Sequence, residues 1–227
     1  MSENLLPCVE LDPPGEARWA VIWMHGLGAS GHDFESVPPL FRLPPEAGVR
    51  FVFPHAPEIP VTINGGFVMP AWYDILEADL DRRVDLEGIR SSAAHIRALM
   101  DREMERGIPE ERIILAGFSQ GGALAIHTAL RYPRPLGGLI ALSTYVADTE
   151  TLEAVTTEAG RGLRAFLAHG VTDPMVPVQG GKLAEETLRS LGLTVTWNTY
   201  PMQHEVCMEE ITDLGAWLRE IVAGDSA

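Results

Sequence analysis

The sequence predicts an α/β protein with a mostly parallel central sheet and helices on both faces. Three observations lead there. Apolar runs of strand length recur along the chain without polar alternation, so their strands are expected to be buried on both faces. Between them lie segments with apolar residues at three- and four-residue spacing, the mark of a helix with one buried stripe. The 227 residues contain no internal repeat, low-complexity tract or Ser/Gly linker, so residues 1–227 are read as one domain around one sizeable core.

Val9 to Leu11 is a candidate antiparallel edge strand, and Trp19 to Met24 a buried strand ending in His25-Gly26-Leu27-Gly28. Val49 to Phe53 follows, stopped by Pro54 and Pro57. Leu86, Ile89, Ala93, Ile96, Met100 and Met104 form one helical stripe. Ile113 to Ala116 is the third long strand, with the helix former Ala123 to Leu130 soon after it. Gly138 to Leu142, Arg164 to Ala168 and Val195 to Tyr200 complete the strand series. Helical patterns cover 180–191 and 208–222, and 148–158 reads as a polar connection. Residues 54–83 fit neither template: the segment has Pro57, Pro60, Pro70, Gly65 and Gly66 among clustered rather than periodic apolar residues. Long loops of this kind often carry function, and this one is expected to wall a substrate pocket with Ile63, Phe67, Val68, Met69 and Trp72.

Composition narrows the class. Hydrophobic residues make up 46% and charged residues 22%, ordinary for a globular chain. A net charge of −15 disfavours nucleic acid and anionic membrane surfaces as partners. The acidity is read as a well-solvated surface, with adaptation to high salt as the alternative. Cys8 and Cys207 stand far apart in no C-x-x-C pattern, suggesting neither a disulfide framework nor a zinc site. The first residues lack a signal peptide's basic and apolar regions, and no run is long enough for a membrane span, so the cytoplasm is expected. A homodimer is compatible with the chain.

Gly117-Phe118-Ser119-Gln120-Gly121 sits between a strand and a helix, the context that a G-x-S-x-G turn needs to expose a serine hydroxyl. A serine needs a base to take its proton, and the base needs an orienting acid. On a fold of this kind the acid and then the histidine follow in the chain. His204 lies beyond the last strand and Asp173 in a loop between, so Ser119, Asp173 and His204 are the expected catalytic set. His127, inside the helix after the turn, is read as packed or on the helix surface, and His169 precedes the acid. The backbone N–H groups of Leu27 and Gln120 are the expected oxyanion donors. His25, ahead of the serine, is read as a structural hydrogen-bonding residue.

With these residues in place the chain resembles the small carboxylesterase and acyl-protein thioesterase family of α/β-hydrolases. The likeness runs from about Trp19 to Leu218. It rests on His25-Gly-Leu-Gly28, Pro70-Ala-Trp72-Tyr-Asp74-Ile75, Gly117 to Gly122, His169-Gly-x-x-Asp173-Pro-x-Val-Pro177 and Tyr200-Pro-Met-x-His204-x-Val-Cys207. The resemblance implies an α/β-hydrolase fold without a separate lid domain, serine esterase or thioesterase activity on a small acyl ester or thioester, and no metal or other cofactor. It also supports Leu27 and Gln120 as oxyanion donors. Ala29, Gln203 and Glu205 depart from the usual pattern, where Asp, Gly and Ser are common. The first bears on how the oxyanion loop is braced, the others on the histidine loop. The expected activity is a carboxylesterase for short-to-medium acyl chains. An acyl-protein thioesterase or lysophospholipase for longer chains is the alternative, and an inactive fold serving as a binding module the alternative of another class. A dinucleotide fold and a P-loop are excluded, since no G-x-G-x-x-G follows the first strand and Gly180-Gly181-Lys182 lacks the following Ser or Thr.

Overall fold

Both faces of the sheet are covered at its centre, which is why the central strands read as unbroken apolar runs. A computed structural model describes residues 5–76 and 85–224. In chain order the elements are β1 (Cys8–Leu11), β2 (Trp19–Met24), β3 (Val49–Pro54), β4 (Glu58–Val61), β5 (Phe67–Pro70), α1 (Leu86–Glu105), β6 (Ile113–Phe118) and α2 (Gln120–Leu130). They continue with β7 (Gly138–Leu142), α3 (Leu152–Val155), α4 (Glu158–Arg161), β8 (Arg164–Gly170), α5 (Val178–Ser190), β9 (Thr194–Tyr200) and α6 (Met208–Ala223). Seven strands form one sheet in the order β1-β3-β2-β6-β7-β8-β9, with β1 antiparallel to β3 and the remaining neighbours parallel. The expected α/β class and the antiparallel edge strand are both observed.

Alternate residues of β2 divide the core. Ala20, Ile22 and Met24 join the side chains of α1, α2 and α5 on one face. Trp19, Val21 and Trp23 join Phe34, Phe41 and the apolar stripe of α6 on the other. Helix α1 starts where the Asp85 side chain accepts a hydrogen bond from Gly88 N (2.9 Å), and it buries Ile89, Ala93, Ile96 and Met100 as its spacing predicts. Every residue of α2 is buried, so it lies inside the helical layer and shows no polar face.

Two segments differ from the sequence reading. Within 54–83, β4 and β5 pair antiparallel as a hairpin, from Glu58 opposite Pro70 to Val61 opposite Phe67. Gly65 and Gly66 adopt positive φ in its turn, and an isolated two-stranded ribbon tolerates Pro60 and Pro70, which would break a central strand. Residues 77–83 of that segment lie outside the described residues. The stretch 148–158 contains α3 and the start of α4, each one turn long, too short for periodicity to register. Strands β6 and β8 run two residues further than their apolar runs, ending in Phe118 and Gly170.

The order reverses between β2 and β6: β3 lies outward of β2 on one side, and the chain then crosses to start β6 on the other. A crevice forms at such a switch point, outside the carboxyl ends of the strands. The loop after β2 and the turn after β6 both open into it.

Candidate active site

Ser119 sits between β6 and α2 with φ 54° and ψ −119°, a backbone conformation that side-chain-bearing residues rarely adopt. The turn holds because its neighbours have no side chains. A Cβ on Gly117 would strike the Gly121 backbone, and one on Gly121 the carbonyls of Met24 and His25. Ser119 N donates to Leu142 O (2.9 Å) and Thr144 Oγ1 donates to Ser119 O (2.6 Å), tying the turn to β7.

The three residues expected to act together are brought together. Ser119 Oγ lies 2.9 Å from His204 Nε2, and His204 Nδ1 lies 2.6 Å from Asp173 Oδ2. A carboxylate only accepts, so the histidine carries its proton on Nδ1 and turns the bare Nε2 lone pair toward the serine hydroxyl. Asp173 Oδ1 accepts from Met175 N (2.8 Å) and Val176 N (2.9 Å), which fixes the buried carboxylate by the turn that follows it. The Phe118 ring packs 4.8 Å from the His204 ring, centroid to centroid. Glu205 is exposed and turns its carboxylate back to Gln203 N (3.4 Å).

Sequence reasoning gave His169 no part here, yet it stands against the acid. It is fully buried, with Nε2 2.8 Å from Val176 O and 3.5 Å from Asp173 Oδ2. Both neighbours are acceptors, so Nε2 bears the proton, and burial lowers the pKa of the ring below the usual histidine value. His127 is buried in α2, where burial and nearby Arg131 push its pKa down to about 4.

The loop after β2 approaches the serine closely: a Cβ on Gly26 would meet Phe118 at 3.3 Å and Ser119 Cβ at 3.6 Å. Gly28 takes a positive φ and donates to Pro70 O (2.8 Å), which holds the hairpin's end against this loop. Among the described residues, the backbone N–H groups of Leu27 and Gln120 have no hydrogen-bond partner. Phe67 and Val68 are 73% and 58% exposed on β5, Ile63 is exposed in the turn, and Met69 is half-buried with its sulfur near Gly28. Trp72 is different. It is 2% exposed and enclosed by protein, not an open wall of a groove. Among the described residues no cluster of three or more His, Cys, Asp or Glu side chains could hold a metal ion. No helix among them is long and apolar enough to cross a membrane.

A strained serine at the switch point of a parallel sheet, hydrogen-bonded through histidine to a buried aspartate, defines a serine hydrolase on an α/β-hydrolase fold. Residues 10–222 match the phospholipase/carboxylesterase family model, and the chain belongs to that family. It is 40% identical over 209 residues to acyl-protein thioesterase 1 of Gibberella zeae, covering 88% of this chain and 89% of that one. Among solved structures, Arabidopsis thaliana SOBER1 superposes with a TM-score of 0.85 at 31% identity, over 91% of this chain and all of that chain (100%). Acyl-protein thioesterase 2 of Zea mays gives a TM-score of 0.85 at 25% identity, over 95% and 99% of the two chains.

Proposed function

We propose that the protein hydrolyses acyl thioesters and esters through Ser119, His204 and Asp173, with protein-linked or other long acyl thioesters as the preferred class. The observation that carries the chemistry is the continuous path from Ser119 Oγ through His204 to the doubly anchored Asp173 carboxylate. His204 Nε2 takes the hydroxyl proton as Oγ attacks the acyl carbon. The negative charge that develops on the carbonyl oxygen falls to the unpartnered amides of Leu27 and Gln120. Collapse expels the thiol or alcohol, which receives the proton from His204 and leaves the imidazole neutral again. Water then repeats the sequence on the acyl-enzyme. The Asp173 carboxylate, which accepts from His204 Nδ1, stabilises the imidazolium.

The thioesterase preference departs from the short-chain expectation for two reasons. Acyl-protein thioesterases stand among the curated relatives at 37–40% identity. The hairpin beside the oxyanion loop also exposes apolar side chains on both of its faces, with Phe67 and Val68 73% and 58% exposed, as surface that a long acyl chain can cover. Each methylene that covers such apolar surface contributes up to about 0.8 kcal/mol.

The test compares kcat/KM for acetyl, butyryl, octanoyl and hexadecanoyl thioesters with the matching oxygen esters, for the wild type and for Phe67→Ser/Val68→Ser. The long thioesters should lead, and the double substitution should lower their rates while sparing acetyl. A maximum at butyryl would return the assignment to a short-chain carboxylesterase. Ser119→Ala should lose fluorophosphonate labelling and at least a thousandfold in kcat. Retention of a tenth of wild-type turnover would remove the serine assignment altogether.

A further inference from the structure

Trp72 uses all of its polar groups inside the protein, and both of its N–H donors lead to the machinery around Ser119. Its indole Nε1–H donates to His25 O (2.8 Å) and its backbone N–H to Gln120 Oε1 (2.9 Å). Its carbonyl accepts from Ser92 Oγ, which anchors it to α1. The Gln120 side chain completes a clasp by donating from Nε2 to Tyr73 O (2.7 Å). No polar group of Trp72 is left for substrate, and almost no surface.

The two ends of this chain of bonds are the two amides in question. At one end, Ala56 N–H donates to His25 Nε2 (3.1 Å), so Nε2 is an acceptor and the proton sits on Nδ1. Nδ1–H donates to Gly26 O (2.7 Å). The Gly26 carbonyl and the Leu27 N–H share one planar trans peptide and point in opposite directions. Holding the carbonyl toward His25 therefore aims the Leu27 N–H away from it. Burial keeps the ring neutral by lowering its pKa, and the Trp72 ring packs 5.1 Å from it. At the other end the buried Gln120 side chain fixes the residue whose own backbone N–H opens α2.

We propose that Trp72 is a positioning residue: a strut between His25 and Gln120 that sets the separation and aim of the Leu27 and Gln120 amides. The proposal rests on the reading above that these amides receive the oxyanion. It turns Trp72 from the expected pocket wall into a part of the catalytic frame. Preorganised donors matter because charge appears on the acyl oxygen only in the transition state. A strut that fixes both donors before substrate arrives acts on kcat and leaves ground-state binding alone.

The experiment uses Trp72→Phe, which keeps an aromatic ring beside His25 and removes the indole N–H. Gln120→Met attacks the strut from its other end while leaving the backbone amide. Turnover is measured with acetyl and octanoyl oxygen esters and with the matching thionoesters, whose sulfur fits poorly between donors placed for oxygen. Both variants are expected to lose about tenfold in kcat with KM unchanged, equally for acetyl and octanoyl. The wild-type preference for oxygen ester over thionoester should shrink in both.

A loss confined to octanoyl substrate would make Trp72 a groove wall and overturn the proposal. So would an unchanged oxygen-to-sulfur preference in folded variants. A wild type that cleaves thionoesters as fast as esters would instead overturn the oxyanion reading beneath it. If Trp72→Phe does not fold, the ratio in Gln120→Met decides.

Discussion

Replacing Glu210 by glutamine is expected to flatten the dependence of folding stability on pH. Glu210 lies in the first turn of α6 and is fully buried, and neither carboxyl oxygen has a hydrogen-bond partner among the described residues. Burial pushes its pKa from 4.5 up to about 8, opposed only by the nearby Cys207 amide. Between those two values the folded protein holds a proton that the unfolded chain has released. Stability contributed by this site therefore falls as pH rises through the window and levels off above about pH 8. At about 1.4 kcal/mol per pH unit, the loss across the whole window is about 5 kcal/mol, with about 3.5 kcal/mol of it between pH 5 and pH 8. Glutamine cannot ionise, so the wild type and Glu210→Gln should diverge by that amount over this range. For a chain of this size the divergence corresponds to about 7–14 °C in Tm. Any cost of the unpartnered glutamine amide is the same at every pH, so the slope carries the result. The measurement is thermal or urea unfolding of both proteins at pH 5, 6, 7 and 8 and constant ionic strength. Parallel curves would show that Glu210 is ionised in the folded state and would refute the reasoning.

Asp173→Asn should fold normally and lose about a thousandfold or more in kcat, because an amide has one acceptor oxygen where the carboxylate serves both its turn and His204. Combined with Ser119→Ala it should add little, and a fully multiplicative loss would show that the residues do not act as a unit. Gly181→Ala tests the wall behind His169. Helix propensity alone would favour alanine by about 1 kcal/mol, but the added methyl would collide with the buried His169 ring. Overpacking of this kind costs about 1–3 kcal/mol. Denaturant unfolding should therefore show a destabilised variant with reduced activity, and a gain in stability would mean the ring can move.

The fold was legible where local pattern and burial agree. Five of the parallel strands read as strands because two-sided burial leaves apolar runs such as Ile113 to Ala116, whereas the edge strand β9 is half exposed and reads as one through its β-branched and aromatic residues. The hairpin β4–β5 was missed because Glu58-Ile-Pro-Val and Phe67-Val-Met-Pro carry prolines that ordinarily argue against strands. Its turn did leave a signal, Gly65-Gly66 between two short β-prone runs. That Ser119, His204 and Asp173 come together was legible in chain order and in the loops that end strands, both consequences of the parallel sheet.

What escaped the reading were residues whose contribution depends on partners far away in the chain. Trp72 in a Pro- and Gly-rich stretch looks like any aromatic side chain lining a pocket. Only the approach of Gln120, 48 residues later, and of His25, 47 residues earlier, shows that its polar atoms are already engaged. His169 likewise reads as the end of a strand until Asp173 and Val176 fold back over it. The reacting groups must be of a few chemical types at the ends of strands, so sequence finds them. The supports can be any donor or acceptor that the fold brings within reach, and a hydrogen bond between distant segments leaves no periodicity. The same asymmetry predicts where substitutions will surprise: a change at Trp72 or Gly181, neither of which carries a reacting atom, should disturb catalysis more than a change at exposed Glu205 beside the base.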